Sequence, residues 1–187
     1  MRLVREGDAP GAPALVLPGG GDDADRAVLR AVGEELLHAG HRVLRLDWDG
    51  PAPTAQQVPD LVRVLLQDLR PGLVVAQSLT TLGLPVVAGC GLAGIWLAPW
   101  LDHPEVGLAA ARSHPRTLLV GGTDDPSWNR TLAHESDREV LELVGADRSL
   151  GFPGDAAATA DARERIRCGV RAFLAGGPGP ARTAVPA

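Results

Sequence analysis

Short apolar runs alternate with amphipathic stretches along most of the chain, and the alternation predicts strands and helices in turn. Residues 12–17 form a buried-type run that stops at Pro18-Gly19-Gly20-Gly21. Ala27, Val28, Ala31, Val32, Leu36 and Leu37 then recur at the helical period and end at Gly40, a residue suited to a helix C-terminus. Asp22 and Asp23 stand where capping and the helix dipole favour a carboxylate. Val43, Leu44 and Leu46 make the next strand, closing near Asp47-Trp48. Pro51 and Pro53 break the chain before Leu61, Val62, Leu65, Leu66 and Leu69 mark a second amphipathic helix.

The centre of the pattern is residues 73–82. A β-type run, Leu73-Val74-Val75-Ala76-Gln77, stops at Ser78, and an apolar, helix-compatible run follows at once, with Pro85 bending or starting it. Such an arrangement lifts a hydroxyl to the top of a strand on a sharp strand-to-helix turn. Further strands are expected over residues 93–98, 117–120 and 140–144, with helices over 103–112, 130–135 and 155–174. Residues 1–4 suit a short edge strand. The alternation implies the α/β class: a mostly parallel sheet covered by helices on both faces, as a single domain over residues 1–175. Residues 176–187, with three prolines and three glycines, are expected to be a disordered tail.

Composition acts mainly by exclusion. A net charge of -5 argues against a nucleic-acid or anionic-membrane surface. All 18 basic residues are arginine, so lysine Schiff-base chemistry and a phosphate-loop lysine are ruled out. Cys90 and Cys168 have no metal-ligand spacing and are expected to be buried free thiols in a reducing cytoplasm. No signal-peptide pattern and no membrane-length apolar run is present in the sequence. Gly19-Gly20-Gly21-Asp22-Asp23-Ala24 formally fits a dinucleotide fingerprint, with Asp47 ending the following strand. Asp22 and Asp23 would face the pyrophosphate, which repels that reading. No cofactor and no metal are expected.

Ligands of such sheets bind beyond the carboxyl ends of the strands, which here carry the glycine run, Asp47-Trp48, Ser78, Pro99 to His103, Asp124 to Trp128 and Arg148. Four of these places, Pro18-Gly19-Gly20-Gly21, Ala76-Gln77-Ser78-Leu79-Thr80, Gly122-Thr123-Asp124-Asp125-Pro126 and Gly145-Ala146-Asp147-Arg148-Ser149-Leu150, give the chain its resemblance to small α/β-hydrolases with minimal or no cap. The resemblance covers roughly residues 12–174. It implies Ser78 as nucleophile, with the backbone N–H of Leu79 and one near Gly20 or Gly21 as oxyanion donors. It implies Asp125 as the acid, with Asp124 as competitor. Two departures stand out: Thr80 replaces the usual glycine of the elbow, and Arg148 stands where the family has its catalytic histidine.

Arginine stays protonated, so Arg148 cannot take the Ser78 proton, although it can pair with Asp125 or hold a substrate carboxylate. Of the five histidines, His38, His41 and His114 fall at the wrong end of the sheet and His134 leads away from it. His103 alone has a placement compatible with a base, or else with a helix-cap histidine on the surface. Trp48, Trp100 and Trp128 follow strand ends, where they either line a pocket for an apolar or aromatic molecule or cap the core beneath loops. Trp96 belongs to the core.

The resemblance thus implies an enzyme acting on a small, partly apolar molecule, by ester or acyl hydrolysis in the family's usual manner. With Arg148 in place of the base, a non-hydrolytic acyl transfer, cyclisation or elimination fits the residues better. A catalytically inactive small-molecule-binding or accessory protein is the alternative. The expected partner is a small-molecule substrate, with no nucleic acid and no membrane, and no oligomeric state is implied.

Overall fold

The computed structural model describes residues 1–20 and 23–176, with side chains of the first helix described from residue 27 onward. The expected donor at Gly21, the cap at Asp22 and the tail beyond Gly176 lie outside the described residues.

Among the described residues seven strands form one sheet: Arg2–Glu6 (β1), Ala14–Leu17 (β2), Val43–Asp47 (β3), Leu73–Gln77 (β4), Ala93–Leu97 (β5), Thr117–Gly122 (β6) and Glu139–Leu143 (β7). Their spatial order is β1-β3-β2-β4-β5-β6-β7. Only β1 runs antiparallel, pairing Arg2 with Asp47 and Glu6 with Val43 along the edge. The central strands β2 and β4 are buried at every residue, as continuous apolar runs of a doubly covered sheet should be. The chain steps outward from β2 to β3 and returns to add β4 on the other side, so the crevice of the fold opens where β2 and β4 end.

Among the described residues six α-helices cover the sheet: Asp23–His38 (α1), Val58–Leu69 (α2), Leu84–Gly89 (α3), Pro104–Arg112 (α4), Arg130–Glu135 (α5) and Ala156–Leu174 (α6). Strand alternation sorts the core into two layers. Val16, Val43 and Val75 face Val32, Leu36, Ile166 and Val170 of α1 and α6. Leu15, Leu44, Val74 and Ala76 face α2, α3 and α4 on the opposite side, where Trp96 is 1% exposed. Asp155 caps α6 by accepting the Ala158 N–H at 2.9 Å.

The run after Ser78 departs from the expected helix. It first forms a 3₁₀ turn, Ser78–Gly83, and α3 begins only at Leu84, with Pro85 in its first turn. Close packing at Gly83 accompanies this break, because a Cβ there would come 2.5 Å from Val62 Cγ2 on α2. Pro85 then falls where a missing N–H is harmless. The cysteines also differ from expectation: both are free, but both are exposed, Cys90 just past α3 and Cys168 on the outer face of α6.

Helices α1 and α6 are clamped by an acid that the helical period places inside. Glu35 is 3% exposed. It accepts from Arg171 Nε and Nη2 at 3.0 Å each, and Arg167 Nη2 lies 2.9 Å from its Oε1. The Arg171 hydrogen bonds hold the Glu35 carboxyl below the usual carboxylate range, against the opposing effect of burial. A depressed folded-state pKa gives stability that is present above the unfolded value, about 4.3, and is lost as pH falls through the folded one. Glu35→Gln is therefore expected to lower stability by about 1 kcal/mol at pH 7, a value discounted because the arginine partners face solvent. It should also flatten the acid limb of a melting-temperature profile below pH 5 or so.

Candidate functional site

Ser78 leaves β4 with φ at 49°, in the left-handed region. For a residue with a Cβ that conformation costs about 1–2 kcal/mol. Two threonines hold the turn. Thr80, where the resemblance expects glycine, is 1% exposed. Its Oγ1 lies 3.1 Å from the carbonyl of Leu17 at the end of β2 and accepts the Gln77 N–H at 3.2 Å. The larger residue is accommodated because its hydroxyl ties the turn to the neighbouring strand. Thr81 donates to the Ser78 carbonyl, and its Oγ1 accepts the Trp100 N–H at 3.3 Å, joining the β4 turn to the loop after β5.

Across the crevice, a Cβ on Gly20 would meet Leu79 Cδ2 at 3.4 Å, so the end of β2 and the turn after Ser78 lie against each other. Trp48 donates from Nε1 to the Gly19 carbonyl at 2.9 Å. Its indole lines a cavity of about 440 Å³ with Pro18, Gly19, Leu46 and Gln77. Ser78, Asp125 and Arg148 are not in that lining.

The acid loop is built on close backbone approach. Trp128 rests on Gly121, where a Cβ would come 2.0 Å from its ring. The Asp125 carbonyl accepts the Trp128 N–H at 2.9 Å. The Asp125 carboxylate is fully buried and Oδ1 accepts the Ser127 N–H at 2.9 Å, an Asx turn set up by Asp-Pro-Ser. Asp124 is exposed. Asp125 is thus the carboxylate that Arg148 reaches, with Nε 3.3 Å from Oδ1. Arg148 Nη2 also donates to Ser127 Oγ, and its guanidinium carbon sits 5.3 Å from the centre of the Trp100 ring. Sequence reasoning did not single out Ser127. The available signal was its place two residues after a buried acid.

Among the described residues the remaining candidates make no side-chain hydrogen bond to this cluster. His103 is exposed at the residue preceding α4, and its ring makes no hydrogen bond or ion pair among the described residues. Trp128 caps the core, 7% exposed, and donates from Nε1 to Glu142 at 3.1 Å. Glu142 also pairs with Arg130 at 3.1 Å, which anchors α5 and the acid loop to β7. Of the three tryptophans, Trp48 borders the cavity beside β3, Trp100 lies under Arg148, and Trp128 packs on β6. Among the described residues no group of three His, Cys, Asp or Glu side chains is placed to hold a metal, and no helix is long and apolar enough to cross a membrane.

Comparison with solved structures explains the architecture. Alpha/beta hydrolase domain-containing protein 10 from mouse superposes with a TM-score of 0.64 at 16% identity, covering 93% of each chain. The chain has a lidless α/β-hydrolase fold. An α/β serine hydrolase without a lid from Xanthomonas campestris gives a TM-score of 0.61 at 14% identity, covering 98% of this chain and 90% of its own. The enol-lactonase of Burkholderia xenovorans gives 0.63 at 15% identity, covering 93% and 96%. No protein-family model and no curated protein matches the sequence. In this hydrolase fold, α4 is the only helix between β5 and β6, so no cap is inserted between those strands.

Proposed function

We propose that this protein is an enzyme that handles a small, partly apolar carbonyl compound at the crest above β2 and β4, without Ser78 acting as a deprotonated nucleophile. The observation that carries the reading is the position of Arg148, paired with Asp125 at 3.3 Å where the resemblance places a histidine. A guanidinium is charged at every working pH and has no lone pair with which to accept the Ser78 proton.

The left-handed Ser78 turn supports a site in use, since a strained residue survives where the surroundings demand it. On this reading the N–H groups of Leu79 and Gly20 polarise a substrate carbonyl, and Asp125 serves to hold Arg148. The reactions that suit a polarised carbonyl without attack by serine are acyl transfer to a nucleophile on the substrate side, cyclisation and elimination. An esterase domain from Rhodothermus marinus and the enol-lactonase of Burkholderia xenovorans, both of similar fold, support a carbonyl compound as the substrate class. A second reading, a non-catalytic binding or accessory protein, is favoured by one observation: the cavity beside Trp48 does not take in Ser78.

Hydrolysis of short p-nitrophenyl esters tests the proposal. Wild-type protein and Ser78→Ala are expected to turn these esters over at indistinguishable rates. A wild-type rate that collapses in Ser78→Ala would mean that Ser78 is activated after all, and the proposal would fall.

A further inference from the structure

We infer that Arg148 is the receptor for a carboxylate carried by the substrate, held over the ring of Trp100. The inference rests on the reading that the crest handles a small molecule, and it names that molecule's class: a monocarboxylate with a flat apolar body.

A guanidinium carries five N–H donors in a planar fork that matches a carboxylate at two points. An arginine present only to neutralise Asp125 would use that fork, yet the contact is a single one, Nε to Oδ1 at 3.3 Å. Asp125 Oδ2, buried and without a hydrogen-bond partner among the described residues, is left aside. Nη2 turns instead to Ser127 Oγ, and the guanidinium lies over Trp100. Three anchors therefore fix the plane of the group while Nη1 keeps no acceptor among the described residues.

Exposure gives the direction. The Arg148 side chain is 44% exposed, whereas that of Asp125 is 0% exposed. A molecule arriving at the crest meets the cation and not its partner. Trp100 is half-buried and its Nε1 is buried without an acceptor, so it offers a ligand ring surface and no donor. The chain from Trp100 N–H to Thr81 Oγ1, and from Thr81 to the Ser78 carbonyl, ties this receptor to the Ser78 turn. A carboxylate fits better than a phosphate dianion. One arginine supplies one positive charge, exposed Asp102 and Asp124 belong to the same two loops, and the protein as a whole carries -5.

Titration of the full chain with benzoate, benzamide and benzylamine, followed by Trp fluorescence and protein NMR, tests the inference. Benzoate is expected to bind at least about tenfold more tightly than the isosteric amide or the amine, because only the carboxylate engages the charged fork. Arg148→Gln should erase the preference, and Ser78→Ala should keep it. Arg148→Lys, which retains charge without the fork, should lose about tenfold and carries the test if the glutamine variant does not fold. Equal binding of benzoate and benzamide, preference for the amine, absence of binding by all three, or unchanged benzoate affinity in a folded Arg148 variant would each overturn it. Ser78-dependent ester hydrolysis would sink the functional proposal while leaving an Arg148-dependent benzoate preference intact, so the two failures are separable.

Discussion

Arg148→His is expected to convert a protein without Ser78-dependent esterase activity into one that has it. The expectation follows from what the substitution does to Asp125. In the wild type Oδ1 of that residue is occupied by the Ser127 N–H and by Arg148, while Oδ2 has no donor among the described residues. A ring N–H at position 148 would find Oδ2 ready to accept it, which fixes the tautomer and leaves the other ring nitrogen as a base. A positioned general base contributes on the order of 10²–10⁴-fold, so p-nitrophenyl acetate hydrolysis should rise by about that factor over wild type. The gain should vanish in the Arg148→His, Ser78→Ala double variant. Its pH profile should rise through the ordinary histidine range, near pH 6.5 or so, because only the neutral ring accepts a proton. A folded Arg148→His protein with no such gain would show that Ser78, Asp125 and position 148 do not share one site.

The largest expected loss of stability comes from Gly122→Ala. A Cβ on Gly122 would lie 2.1 Å from the Ala146 carbonyl oxygen, 2.6 Å from its carbon and 2.9 Å from the Asp147 oxygen. All three are backbone atoms, which cannot rotate away as a side-chain tip can. The turn that they belong to is itself tied down: Asp124 N–H donates to Ala146 O at 2.9 Å, and Gly145 N–H donates to Thr123 Oγ1 at 2.8 Å. Relieving the clash therefore means lifting the segment that carries Arg148 off β6. Overpacking costs about 1–3 kcal/mol, and rigid backbone neighbours put this site at the upper end, which for a chain of this length lowers Tm by roughly 6–12 °C. Gly33→Ala is the matching control, because a Cβ there meets nothing within 4 Å and lies in α1. That change should leave Tm equal or slightly raised, by up to about 1 kcal/mol of added stability. The benzoate preference should weaken in Gly122→Ala and persist in Gly33→Ala.

Much of this architecture is legible from residue order because doubly covered parallel strands must be continuous apolar runs. Residues 73–77 and 117–120 announce themselves for that reason, and Gly40 and Pro99 mark where elements stop. The turn after Ser78 is less legible: the 3₁₀ segment accompanies the contact between Gly83 and Val62, two residues far apart in sequence. The exposure of Cys90 and Cys168 escaped the reading because both residue types and positions suit either face of a helix. Ser78, Asp125 and Arg148 stand out in the sequence through the resemblance to α/β-hydrolases. Their geometry does not. Nothing local states that Arg148 would touch Asp125 at one point, lean on Trp100 and reach Ser127. Likewise, Trp128 had equal reason to line a pocket until Gly121 and Glu142 were seen to hold it against the core.

Ser78 is proposed to stand in a nucleophile's place without a nucleophile's base. Intact-mass measurement after incubation with a fluorophosphonate probe tests it most directly, using wild type, Ser78→Ala and Arg148→His side by side. No adduct is expected on the first two, and a single adduct, mapped to Ser78, is expected on the third. Stoichiometric labelling of Ser78 in the wild-type protein would contradict it.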